Sequence, residues 1–258
     1  MPYRANSEAL KAKTRQPEAL HPAVYRWRPA RIERAADFPL GLGQSGVHEI
    51  CEECFGDMPS LTGFALAAAG FRRGATAWVV ERRLSLDHGG ILPAGIQHIC
   101  RDAKALISVD VSKHRDALWV IEEAVRSAAV GCVIAEISHI DFTASRRLAL
   151  ASGRHGVPVI LLLPYTCEGS TAASARWRVS PRPSSQNFFD PRAPGHARWR
   201  AVLERTRQAP HMTGKVFDLE LNDETLSLSV VSKLAAHASA PRTPGTSEGC
   251  RTITRKRA

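Results

Sequence analysis

At 258 residues, with 44% hydrophobic and 23% charged side chains, the chain can bury one sizeable core and has the composition of a folded protein, not a disordered or fibrous one. No apolar run approaches the ~20 residues that cross a bilayer, and the opening MPYRANSEALKAK lacks the apolar stretch of a secretory signal, so no membrane association is expected and the cytoplasm is the expected location. The net charge of +10 suggests an anionic partner, but it is uneven: residues 1–36 carry +5, 37–170 carry −3, 171–215 carry +7, 216–238 carry −3 and 239–258 carry +4.

Three regions follow from that distribution. Residues 1–37 read as a basic N-terminal arm, with a short amphipathic helix over 7–20 and Pro17, Pro22 and Pro29 interrupting anything longer. Residues 38–238 read as one domain. Residues 239–258, rich in Pro, Gly, Ser and Thr and ending in RKRA, read as a disordered basic tail.

Within the domain, VHEICEE (47–53) reads as a strand and 60–72 as a helix. Strands follow over 75–82 and 105–111. Over 113–129 a helix places Ala117, Ile121, Ala124 and Ala128 on one face and turns Glu122, Glu123 and Arg126 away. VGCVIAEI (130–137) is a continuous apolar strand, with Cys132 a small buried hydrophobe. A helix over 143–152 has Thr143 as its cap and Gly153 near its end, and VPVILLLP (157–164) closes the series as a strand. Apolar strands alternating with helices predict an α/β domain with a largely parallel sheet covered on both faces.

The basic section is different. The tetrapeptide Ala-Arg-Trp-Arg occurs at 175–178 and again at 197–200, flanked by proline-rich turns, and KVFDLEL (215–221) adds another strand. This is a β-rich extension over 171–221. In a strand the two arginines of each repeat share one face and the tryptophan points to the other. One reading is a basic ribbon gripping phosphates, or a partner, with Arg176, Trp177, Arg178, Arg198 and Arg200. The other is an ordinary sheet extension with buried tryptophans and solvated arginines, which is favoured because surface arginines need no partner.

The stretch 49–70 sits where a phosphate-binding loop would lie, between strand and helix. Such a loop follows G-x-x-x-x-G-K-[ST], with backbone N–H groups around the anion and a lysine on the terminal phosphates. Anchored on Gly56, the lysine position is Thr62; anchored on Gly63, it is Phe64. Neither register works, so the loop reads as a degenerate P-loop and the chain as a non-enzyme. Gly56, Thr62, Gly63 and Glu136, the last closing the strand CVIAE, are the candidates for any remaining nucleotide contact. No catalytic residue is assigned, and no cofactor is expected, with ATP and magnesium as the alternative. Cys51 and Cys54 form one C-x-x-C without the second pair that a structural zinc site wants, so no metal is expected. The ten histidines are dispersed; His48, His139 and His155 have no spacing that specifies a site.

The runs EISHIDFTASRRLALASGRHGVPVILLLP (136–164), STAASARWRVSPRPS (170–184) and ARWRAVLERTR (197–207), with FPLGL (38–42) leading to HEI (48–50), resemble the ImuA family of bacterial mutagenesis proteins. The likeness spans roughly 38–221, and its most specific parts are TASRRL (143–148) and AASARWRVSP (172–181). It implies a RecA-like three-layer fold in an accessory protein of SOS-induced, error-prone translesion synthesis, in a family whose RecA-like members need not keep an intact ATP site. It also implies two partners, an ImuB-like homologue of Y-family polymerases and an error-prone C-family DNA polymerase, with DNA a further candidate. Arg146 and Arg147 within the first motif are the candidate surface pair. Two alternatives stay open: a weakly ATP-dependent DNA-binding RecA-like protein, and a SulA-like inhibitor of cell division.

Overall fold

The computed structural model describes residues 45–69, 74–92, 95–96, 106–187, 189–222 and 227–231. The basic arm, the FPLGL entry and the basic tail lie outside them.

β1 (Val47–Glu52) is buried along its whole length, and it enters α1 (Met58–Ala69) through a short turn. β2 (Ala75–Glu81) runs directly into α2 (Arg82–His88), a short helix of about two turns that the apolar pattern of 75–82 had hidden. Then come β3 (Leu106–Val111), α3 (His114–Ser127), β4 (Val130–Glu136), α4 (Phe142–His155) and β5 (Val159–Leu163). β6 (Ala175–Arg182), β7 (Arg198–Thr206), β8 (Val216–Asn222) and β9 (Ser227–Val230) complete the order, β9 being a strand too short to signal itself.

Among the described residues, nine strands form one sheet in the order β3-β2-β4-β5-β1-β6-β7-β8-β9. The pairs from β3 through β6 are parallel, and β6 to β9 are antiparallel. The expected α/β class with a largely parallel sheet and a β-rich extension is therefore the class observed. The extension is not a separate layer, because it continues the same sheet beyond β1.

Alternation along the strands divides the core in two. One face, with Ile50, Trp78, Ile134, Trp177 and Trp199, packs under α1. The other, with Cys51, Val79, Val133 and Leu161, packs under α3 and α4 through Ile121, Val125 and Leu148. Both tryptophans of the Ala-Arg-Trp-Arg repeat thus join the first core, on the face opposite their arginines.

Two helix details differ from expectation. Asp141, not Thr143, caps α4: its Oδ1 accepts from Ala144 N at 2.6 Å, Gly153 lies inside the helix, and Gly156 ends it at φ 71°. On α3 the buried positions are Ala117, Ile121, Glu122 and Val125, while Ala128 lies past the helix end. Glu122 was expected to face solvent. It is buried because Arg126 and Arg147 both reach it, at 2.8 and 2.7 Å, so one carboxylate ties α3 to α4.

Candidate functional site

The turn from β1 to α1 is the natural place for an anion, since the first N–H groups of a helix lack intrahelical partners. Here the chain supplies its own anions. Glu52 closes β1 with no exposed surface, and its Oε1 accepts from Met58 N at 2.7 Å. Its Oε2 accepts from Tyr165 N at 3.3 Å. Asp57 Oδ2 accepts from Cys54 N at 3.1 Å. Desolvation raises both carboxyls above their ordinary range. A phosphate entering this turn would meet two carboxylates and no lysine.

Glu136 sits at the carboxyl end of β4, 4% exposed, with its Oε1 accepting from Trp78 Nε1 at 3.1 Å. Burial, more than the nearby Asp110, pushes this carboxyl up to about 7. It lines a cleft of about 270 Å³ together with Met58, Thr62 and Gly63 of α1 and His88 and Leu92 at and beyond the end of α2. Three of the four nucleotide candidates, Thr62, Gly63 and Glu136, therefore line one cavity. Gly56 does not: it sits in the exposed turn at φ 101°. Thr62 Oγ1 is turned back to Met58 O at 3.2 Å. The cleft is largely apolar around one protonatable carboxyl, a lining suited to apolar or neutral hydrogen-bonding groups more than to a triphosphate.

The expected contact strip on β6 needs correction. Arg176 is 6% exposed and Trp177 has no exposed surface. Arg176 Nε donates to Glu49 Oε2 at 2.7 Å and its Nη1 to Gly169 O at 3.0 Å. Thr171 Oγ1 donates to the other oxygen of Glu49. The Ser145 and Thr171 hydroxyls lie 2.9 Å apart, and Ser145 Oγ also accepts from Ala172 N. This buried network joins β1, β6, α4 and the segment before β6. Its members Ser145 and Arg176 fall within TASRRL and AASARWRVSP. Arg178 pairs with Glu204 and donates to Glu52 O, Tyr165 O and Cys167 O, which holds the segment after β5 in place. Trp177 is buried because β6 turns it into the core under α1.

On β7 the arginines are more accessible but matched. Arg198 pairs with Glu220 at 2.6 Å and Arg200 with Asp218 at 2.9 Å, each directly across from its partner on β8. Asp218 and Glu220 of β8 thus balance two of the positive charges of 171–215. On α4, Arg147 is committed to Glu122, while Arg146 is exposed. Leu150, one turn further along α4, is 67% exposed, and Trp119 on α3 is 62% exposed.

Sequence reasoning missed Glu49, Glu52, Asp57, Ser145 and Thr171. A signal existed for the first two, carboxylates inside an otherwise apolar central strand; the others needed the fold. It also left the histidines without a site, yet His114 Nδ1 donates to Glu81 Oε1 at 2.6 Å and its ring stacks on His139 at 3.9 Å. Among the described residues no cluster of His, Cys, Asp and Glu could hold a metal ion, and no helix is long and apolar enough to cross a membrane.

No protein-family model matches the chain. Protein ImuA of Caulobacter vibrioides, strain NA1000 / CB15N, is 32% identical over 184 residues, covering 65% of this chain and 72% of that protein. Protein ImuA of Caulobacter vibrioides strain ATCC 19089 matches with the same figures. Among solved structures, the crystal structure of the RadB recombinase aligns over 75% of this chain and 94% of its own, at 12% identity and a TM-score of 0.47.

Proposed function

The chain belongs to the ImuA family, and from that premise we propose that it is a non-catalytic accessory protein of SOS-induced, error-prone translesion DNA synthesis. It acts in the cytoplasm as an adaptor, holding an ImuB-like homologue of Y-family polymerases together with an error-prone C-family polymerase. The observation that carries the non-catalytic part is that Glu52 accepts from Met58 N at the start of α1 and Asp57 from Cys54 N in the turn before it. The degenerate loop has become a structural turn whose N–H groups bind the protein's own carboxylates.

The adaptor part is supported by the outer surfaces of α3 and α4, where exposed Trp119, Leu150 and Arg146 combine apolar anchors with an available cation. A protein partner is favoured over DNA because Arg198 and Arg200 already have carboxylates across from them.

Two measurements test this reading. Titration of the purified protein with ATP and magnesium, followed by tryptophan fluorescence, is expected to show no saturable binding up to millimolar nucleotide. Saturation in the micromolar range would overturn the non-catalytic assignment. Co-purification with the ImuB-like partner is expected to fall about tenfold for Arg146→Glu with the melting temperature unchanged, in line with loss of a contact worth about 1.4 kcal/mol. Full retention of the partner by the folded variant would remove this face from the proposal.

A further inference from the structure

The C-x-x-C pair reads in sequence as Cys51 with Cys54, but the fold gives Cys51 a different neighbour. Cys51 is buried at the end of β1, opposite Leu163 of β5 on one side and Arg178 of β6 on the other. Beyond Leu163 the chain turns back across this end of the sheet. Tyr165 N is held by Glu52 Oε2, Cys167 N donates to Pro164 O at 2.9 Å, and Arg178 Nη2 donates to Cys167 O at 3.2 Å. The turn packs the half-buried Cys167 against the core layer that holds Cys51, with Arg178 bonded to the carbonyl of one and paired in register with the other. The guanidiniums of Arg176 and Arg178 lie close enough to act on both sulfurs, with Glu49 opposing them at Cys167.

We propose that Cys51 and Cys167 form a site of reversible oxidation by hydroperoxides, with Cys167 the attacking thiol and Cys51 the resolving one. The Cys167 thiolate attacks one peroxide oxygen; the O–O bond breaks, hydroxide leaves, and Cys167 becomes a sulfenic acid. The Cys51 sulfur then attacks the Cys167 sulfur. Its proton and the departing hydroxyl form water, and the two electrons lost by the sulfur pair are those gained by the peroxide. A dithiol reductant reverses the bond by exchange. The neighbouring Cys51, and then the two arginines, hold the Cys167 thiol below its ordinary range, while Cys167 and burial push Cys51 up. Attack and resolution are thereby divided between an accessible, anion-stabilised sulfur and a sheltered one. The resulting cross-link ties the end of β1 to the turn after β5, beside Glu52 and Arg178.

The test uses the full chain. The protein is exposed to hydrogen peroxide, free thiols are blocked with N-ethylmaleimide, and peptides are mapped by mass spectrometry. A Cys51–Cys167 linked peptide that disappears with dithiothreitol, and that persists in Cys54→Ser, is the expected result. In Cys51→Ser, dimedone should label Cys167. Before oxidation, Cys167 should be alkylated at pH 7 roughly tenfold faster than half-buried Cys54, as a lowered thiol pKa requires. A Cys51–Cys54 disulfide, or no disulfide with Cys167 no faster than Cys54, would overturn the proposal. Cys167→Ala, compared with the parent by thermal melting, shows whether loss of labelling reflects chemistry or unfolding; dimedone labelling at another cysteine in that folded variant also counts against it.

Discussion

Arg176 and Glu49 face each other across two neighbouring parallel strands, guanidinium to carboxylate at 2.7 Å, with both side chains out of solvent. A buried pair of this kind contributes little net stability, but losing one partner strands the other charge. Arg176→Met should therefore destabilise the protein by about 3–5 kcal/mol, and Glu49→Leu with Arg176→Met should recover most of it. Urea unfolding of the two variants and the parent measures this; a double variant no better than the single would mean that Thr171 and Gly169, not the ion pair, set the cost.

Glu136 gives a pH dependence with a defined sign. Its carboxyl is raised in the folded protein from the ordinary 4.5 to about 7. A raised folded pKa favours the protonated native state. The contribution is fully present below the unfolded value and is lost as the pH climbs through about 7. The size is on the order of 3 kcal/mol over that window. Glu136→Gln keeps an oxygen for the Trp78 N–H without the charge. The variant should match the parent near pH ~4.5 and exceed its stability at pH ~8. Parallel denaturation curves at both pH values would show Glu136 to be solvated instead.

The glycine in the turn and the glycine inside α1 should respond in opposite directions. Gly56 has open space where a methyl group would stand but sits at φ 101°, so Gly56→Ala should cost about 1 kcal/mol through backbone strain. Gly63 lies inside α1, where an added Cβ would meet Trp199 Cζ2 at 3.4 Å, an ordinary contact. Gly63→Ala should be neutral or stabilising by up to about 1 kcal/mol, the helix propensity difference. Thermal melts of both variants decide it, and a large loss at Gly63 would mean that Trp199 cannot yield.

What was legible locally was legible for local reasons. The apolar runs 130–137 and 157–164 read as strands covered on both faces, as β4 and β5 are, and 47–53 read as a strand despite its carboxylates, as β1 is. The alternation within Arg-Trp-Arg correctly separated tryptophans from arginines. Short or hidden signals failed: α2 continues an apolar strand without a break, and β9 has four residues. The cap of α4 went to Asp141 because a carboxylate at the true N-cap reaches Ala144 N, while Thr143 is already inside the first turn.

The class of fold, the missing lysine and the family could all be read along the chain, since they rest on periodicity and on residue identity at fixed spacing. What each charge does emerged only once the strands were assembled. Arg176 stands 127 residues from Glu49, and Cys51 of β1 and Cys167 after β5 come to the same core layer. β6 lies beside β1 because the sheet places it there, and desolvation then turns arginines that composition would assign to an anionic partner into internal counter-ions. Charge is written in the sequence; whether it faces water or a carboxylate depends on which strands become neighbours.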